Sequence, residues 1–165
     1  MKSIIKYWNT EKNGLTLTIG TFNDKICYLG LQNDEITTWF DNHKFILEHQ
    51  PSLLPSEITQ LLDDFFAKKP LQLTLDNFYL TGSEFQKKVW NELIKIKAGE
   101  TITYSDLAQK INHPTAARAV ASAVGKNPIL LLIPCHRVIG KNNNLYKFRS
   151  GGEIKKQLLN FENNN

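Results

Sequence analysis

Ile129, Leu130, Leu131, Leu132 and Ile133 form an unbroken apolar run that stops at Pro134. A stretch with no polar position has no face to give to water, so the fold must surround it. Its length and the closing proline read as a short buried strand. Cys135, His136, Arg137 and Val138 follow directly. A thiol at a rigid strand end, beside an imidazole and a guanidinium, is where a thiolate nucleophile belongs. Cationic neighbours are expected to lower its pKa, and the thiolate is the attacking form.

The rest of the chain narrows the setting. At 165 residues, 41% hydrophobic and 22% charged, it can build one ordinary domain or two small ones. No apolar run approaches the roughly 20 residues of a membrane span. The first residues lack a signal peptide's apolar core and cleavage site, so a cytoplasmic protein is expected. Two cysteines, Cys27 and Cys135, make neither a disulfide framework nor a zinc set. His43 and His49 fit no metal spacing, and Cys27 reads as a small buried hydrophobe in a strand. Charge is uneven. Residues 1–80 hold 7 Lys against 10 Asp and Glu, net −3, while residues 81–165 hold 13 Lys and Arg against 6, net +7. The basic half is a candidate for contact with a polyanion.

Leu15, Leu17 and Ile19 alternate with threonines, and Asn23-Asp24 precedes the apolar segment 26–31, which predicts a hairpin. Pro55-Ser56 opens a helix with Ile58, Leu61, Leu62, Phe65 and Phe66 at helical spacing, stopping near Lys68. Leu71, Leu73 and Leu75 alternate as a strand. Ser83 and Gln86 form a capping box for a helix whose apolar face is Phe85, Val89, Leu93 and Ile96, with Gly99 as its stop. Two short helices, over 103–111 and 116–124, flank a turn at 112–115; Pro114 suits the second start and Gly125 its end. That pair reads as a helix-turn-helix. The second helix carries one long polar side chain, Arg118, on a mostly alanine surface. Such a helix can approach another surface closely, but it is poorly equipped to read base edges. Asn142, Asn143 and Asn144 read as a turn-prone loop, 154–161 as a last helix, and 163–165 as a frayed tail.

Taken in order, six blocks resemble the O6-alkylguanine-DNA alkyltransferases, the methylated-DNA–protein-cysteine methyltransferases. They are Gly82-Ser83 with Phe85-Gln86 and Val89-Trp90; Gly99-Glu100-Thr101 with Thr103-Tyr104; Ala117 through Val120; Gly125 with Asn127-Pro128; Pro134 through Ile139; and Gly151-Gly152. The resemblance implies an α/β (α+β) chain. A small ribonuclease-H-like α/β supporting domain would occupy 1–78. A mostly helical DNA-binding and alkyl-acceptor domain, with a winged-helix-like helix-turn-helix, would occupy 79–165.

It also implies an activity. Guanine alkylated on O6 in duplex DNA would be turned out of the stack, and Cys135 would take the alkyl group. The thioether is stable, so each molecule would act once, as a monomer, with no cofactor and no metal. His136 resembles the general base. Adjacent residues on extended chain point apart, so it would reach Cys135 through a water. Glu162 is the candidate to orient that imidazole. Arg118 resembles the arginine that fills the vacated stack from the minor groove. Tyr104 resembles the tyrosine that crowds the 3′ phosphate and donates to the leaving base. Asn127 resembles the asparagine tying the helix-turn-helix to the active-site strand. Gln86, Ser105, His113 and Lys141 fall where contacts to the DNA backbone are expected.

The chain departs from the family pattern before its last helix. Lys147-Phe148-Arg149-Ser150 stands where Gly-Tyr is frequent, with the tyrosine replaced or shifted to Tyr146, and the interval to Glu162 is about one residue shorter. A non-catalytic lesion binder, a helix-turn-helix regulator and a cysteine hydrolase are the competing readings. Cys135, the single long polar side chain on the second helix and the lack of an oxyanion-hole signal weigh against them in turn.

Overall fold

Asn13-Gly14 and Asn23-Asp24 set the architecture of the first half. All four residues sit at positive φ (52°, 76°, 50° and 64°), as two-residue hairpin turns with the strands' own twist require. They join β1 (Ser3–Lys12), β2 (Leu15–Phe22) and β3 (Lys25–Leu31) into an antiparallel meander, with Lys12 opposite Leu15 and Phe22 opposite Lys25. β4 (Phe45–His49) returns parallel to β1, Ser3 opposite Phe45, and the sheet order is β3-β2-β1-β4. The computed structural model describes residues 1–143, 145 and 148–164. Expectations for Asn144, Tyr146, Lys147 and Asn165 lie outside the described residues.

The chain forms two compact units, residues 1–80 and 81–165. In the first, α1 (Ser56–Phe66) buries Ile58, Leu62 and Phe65. Lys68, at φ 59°, closes α1, its N–H donating to Phe65 O and that of Lys69 to Asp64 O. Residues 71–74 form no strand; a 3-10 turn, Leu75–Asn77, replaces the expected one. Thr74 and Asn77 cap that turn reciprocally, which takes the backbone groups a ladder would have used.

The second unit begins with α2 (Glu84–Ile94). Ser83 Oγ accepts from the Gln86 N–H at 3.1 Å, and Gln86 Oε1 accepts from the Ser83 N–H at 2.9 Å. The helix stops at Ile94; Gly99, at φ 89°, belongs to a following turn and not to its cap. β5 (Ile102–Thr103) pairs in parallel with β6 (Val138–Ile139). Thr103 caps α3 (Tyr104–Lys110), accepting from the Asp106 N–H at 3.1 Å. α4 (Ala117–Gly125) ends at Gly125, as expected. Trp90 Nε1 donates to Ala123 O at 2.9 Å and locks α2 to α4. α5 (Gly152–Asn163) runs past the expected end at 161. Among the described residues no helix is long and apolar enough to cross a membrane.

Candidate active site

The apolar run is buried as expected, each of residues 129–133 at 2% exposure or less, but it is not a strand. It folds as a compact turn. Ile133 N–H donates to Ile129 O at 3.2 Å, Leu132 N–H to Leu130 O at 2.8 Å, and Leu131 sits at φ 70°. Periodicity cannot separate a buried strand from a buried turn when every position is apolar. A leucine in the left-handed region costs on the order of 1–3 kcal/mol unless its surroundings hold it there. Asn127 does so. Its Nδ2 donates to Ile133 O at 2.7 Å, and its Oδ1 accepts from the Ile129 N–H at 2.9 Å.

The braced turn delivers Cys135 into a 3-10 turn, Cys135–Arg137, in place of extended chain. Cys135 is 5% exposed and lines a cavity of about 250 Å³. The other walls are Tyr104 at the start of α3, Ala121, Val124 and Gly125 of α4, and Asn127, Leu130, Phe148 and Arg149. Tyr104 gets there because β5, just before it, pairs with β6, just after the Cys135–Arg137 turn.

Behind the cysteine lies a buried ionic layer. His136, fully buried, has Nε2 3.0 Å from Glu162 Oε1. Arg137 Nε donates to both Glu162 oxygens at 3.0 and 3.1 Å, its Nη2 donates to Oε2, and its Nη1 donates to Ile96 O at 2.5 Å. Burial would raise the Glu162 carboxyl, yet the hydrogen bonds from His136 and Arg137 hold it down at about 2. Burial lowers the His136 imidazole despite Glu162, so the ring is neutral at neutral pH.

Cys135 itself corrects an expectation. Its thiol is raised, not lowered: burial outweighs the hydrogen bond from Asn127 and the charges of Arg149 and Lys155. Arg137, two residues on in the sequence, spends its charge on Glu162. The cations that act on the sulfur come from 14 and 20 residues later. Tyr104 is also raised, by burial and then by Cys135, and so is a phenol that can donate.

Two residues of this centre do not stand out in the sequence. Lys155 is fully buried on α5, its Nζ donating to Val138 O at 2.5 Å, and burial lowers it to about 8. Arg149 lines the cavity with its Nη1 donating to Asn127 O at 2.5 Å. A signal for Lys155 is present: it precedes Glu162 by seven residues, two helical turns, and so shares its face. The remaining expected residues lie around the opening or away from it. Arg118 is exposed on α4, three and seven residues before the cavity-lining Ala121 and Gly125, hence on their side of the helix. Ser105 is half-buried in the first turn of α3. His113 is exposed, its ring 5.7 Å edge-on from that of Phe85. Gln86 is committed to the α2 capping box, and Lys141 is exposed in a 3-10 turn, Lys141–Asn143.

The profile of the 6-O-methylguanine DNA methyltransferase DNA-binding domain matches residues 84–164. The methylated-DNA–protein-cysteine methyltransferase of Saccharomyces cerevisiae is 32% identical over 181 aligned positions, covering 100% of this chain and 96% of the yeast protein. The inducible methylated-DNA–protein-cysteine methyltransferase of Bacillus subtilis is 41% identical over 145, covering 83% and 78%. The crystal structure of Mycobacterium tuberculosis OGT in complex with DNA superposes with a TM-score of 0.80 at 30% identity, covering 96% of this chain and 92% of that one. The chain belongs to the methylated-DNA–protein-cysteine methyltransferase family.

Proposed function

We propose that this protein repairs DNA by direct reversal, moving the O6-alkyl group of guanine onto its own Cys135 in one irreversible turnover. The carrying observation is a nearly buried cysteine that opens on a cavity and is backed by the His136–Glu162 couple. The S–C bond forms as the C–O6 bond breaks, and guanine leaves once it gains the proton that the thiol gave up. Cys135 starts as a thiol, so a base must take that proton as attack begins. Neutral His136 is that base, acting through a bridging water, and ionised Glu162 stabilises the resulting imidazolium. The protonated phenol of Tyr104, on the cavity wall, donates to the departing base and crowds the flanking phosphate.

Arg118 fills the vacated stack from the exposed face of α4, where Ala119, Ser122 and Gly125 leave room for close approach in a minor groove. Asn127 couples α4 to the reacting cysteine. Ser105, His113 and Lys141 contact the DNA backbone; Gln86 does so only beside its capping role. Residues 79–165 are the alkyl-acceptor domain. The β5–β6 pair beside α3 and α4 supports a winged-helix-like description. Residues 1–78 are a support, and their sheet order, with β4 parallel to β1, supports a ribonuclease-H-like description. The protein works as a monomer in the cytoplasm.

Incubated with a duplex carrying one labelled O6-methylguanine, the protein acquires one label per chain at Cys135. Cys135→Ser binds the lesion but takes no label. Tight binding by the unmodified protein with no label transferred rules the reading out in favour of lesion sensing.

A further inference from the structure

β4 ends the sheet of the first unit, with β1 on its inner side and no strand on its outer side. Its pairing with β1 is regular from Ser3 opposite Phe45 to Tyr7 opposite His49. At the ends of that ladder Ser3 N–H donates to Lys44 O and Gln50 N–H donates to Tyr7 O. A parallel ladder alternates, so residues 44, 46, 48 and 50 bond inward, and Phe45, Leu47 and His49 turn their backbone groups outward. Phe45 N–H donates to Asp41 O at 2.9 Å, which closes that end of the edge. Among the described residues no hydrogen bond is made by the backbone of Leu47 or His49, or by Phe45 O. The edge lacks the usual protections, with no proline, lysine or bulge between residues 45 and 49. Ile46 lies on it 49% exposed, beside Ile4, also 49% exposed.

We propose that this edge is an interaction surface for the same edge of a second copy, paired antiparallel about a two-fold axis through Leu47. Two four-stranded sheets then become one continuous sheet. The edge fits itself. Leu47 N–H donates to Leu47 O of the second copy, and His49 N–H donates to its Phe45 O, each in both directions. On one face Leu47 meets Leu47, and Phe45 meets His49. That extends an aromatic group in which Phe45 already packs on Phe40 and His49 on Tyr7. On the other face each Glu48 lies opposite the second copy's Ile46 and diagonal to its Lys44. Lys6, opposite Glu48 on β1, offsets the repulsion between the two Glu48 carboxylates. Growth stops at two copies. A head-to-tail array would need the far edge of the sheet, β3, where Tyr79 N–H already donates to Ile26 O. A seam of five residues per copy buries less than the roughly 1,000 Å² of a lasting interface, so the pair is weak and dilute protein is monomeric. Every residue placed at the cavity belongs to the second unit, so transfer remains the work of one chain.

The test is sedimentation equilibrium of the full chain from about 1 μM to about 1 mM, with amide hydrogen exchange on the same samples. The expected result is a monomer–dimer equilibrium with a Kd on the order of 100 μM. The Leu47 and His49 amides exchange freely in dilute protein and gain protection as the dimer forms. His49→Pro removes an outward donor without touching the β1 ladder and weakens association about tenfold or more, whereas His49→Ala keeps the donor and most of the association. Glu48→Lys, an exposed change that leaves the backbone alone, weakens association severalfold through repulsion by Lys44. Monomer throughout the range overturns the proposal and leaves the edge to a foreign strand. A dimer that His49→Pro and Glu48→Lys leave unchanged overturns it as well, as do assemblies that grow past two copies and full protection of Leu47 in dilute protein. None of these outcomes touches the alkyl-transfer reading.

Discussion

At the scale of single residues, the site works through the placement of charge. Glu162 is held at about 2, below its ordinary 4.5, by His136 and Arg137. A carboxyl depressed in the folded state stabilises the fold above its ordinary pKa and loses that contribution as pH falls from 4.5 towards 2. Glu162→Gln therefore removes this acid-side decline. It also strands Arg137 in the interior without its counter-charge, at a cost of about 3 kcal/mol or more near neutral pH. Urea denaturation followed from pH 2 to 7 checks both, and alkyl transfer slows in the same variant. Lys155 has a linkage of the same sign in a higher pH window. Lowered from 10.5 to about 8, it binds fewer protons folded than unfolded between those values, so its contribution to stability rises with pH. In Lys155→Met, the stability difference (variant minus unmodified) therefore falls between pH 8 and 10.5. The same variant shifts the pH profile of Cys135 alkylation upward, because a cation that favours the thiolate is gone. A flat difference would show that burial does not lower Lys155, and an unmoved profile that its charge does not act on the thiol.

At the scale of elements, the decisive piece is the turn over 129–133. Every residue in it is apolar, yet its shape is dictated by one polar side chain outside it. Asn127 bonds to both ends, at Ile129 N–H and Ile133 O. Removing a partner from two buried backbone groups costs about 2–4 kcal/mol. Asn127→Ala is expected to lose that much in urea denaturation. It also slows transfer by moving Cys135 relative to Tyr104, while α1 and the first-unit sheet keep their hydrogen-exchange protection. The hairpins show the reverse case, in which local chemistry suffices. Asn23-Asp24 is a readable turn. Asn13-Gly14 is an equally strong hairpin signal, and β1 ahead of it, not expected from the sequence, pairs with β2 across it. β4 has no such punctuation, since a parallel pairing with β1 leaves no local turn to read.

For the whole molecule, the charge is divided as the chain is divided. The second unit carries the basic excess and every residue placed at the cavity. DNA binding is therefore expected to weaken with salt. If about four phosphates are neutralised, affinity falls by roughly a hundredfold between about 50 and 200 mM monovalent salt. Neutralising lysines in residues 81–165 should flatten that slope, and neutralising those in 1–80 should not. Fluorescence anisotropy across a salt series decides it.

The α1, α2, α3 and α4 segments, the hairpin at Asn23-Asp24 and the cysteine at the centre are all legible in the order of the residues alone. Caps, turns and apolar spacing act over a few residues and are written in consecutive positions. The sequence by itself thus determined which chemistry the chain carries. The protonation of Cys135 was decided only in three dimensions. Arg137 lies two residues from it in the chain but answers to Glu162, while Arg149 and Lys155, distant in the chain, act on the sulfur. Local propensity depends on neighbours along the backbone. The ionisation of a buried thiol depends on how much water the fold excludes and on which charges it brings within reach, and neither quantity exists until the second unit has closed around residue 135.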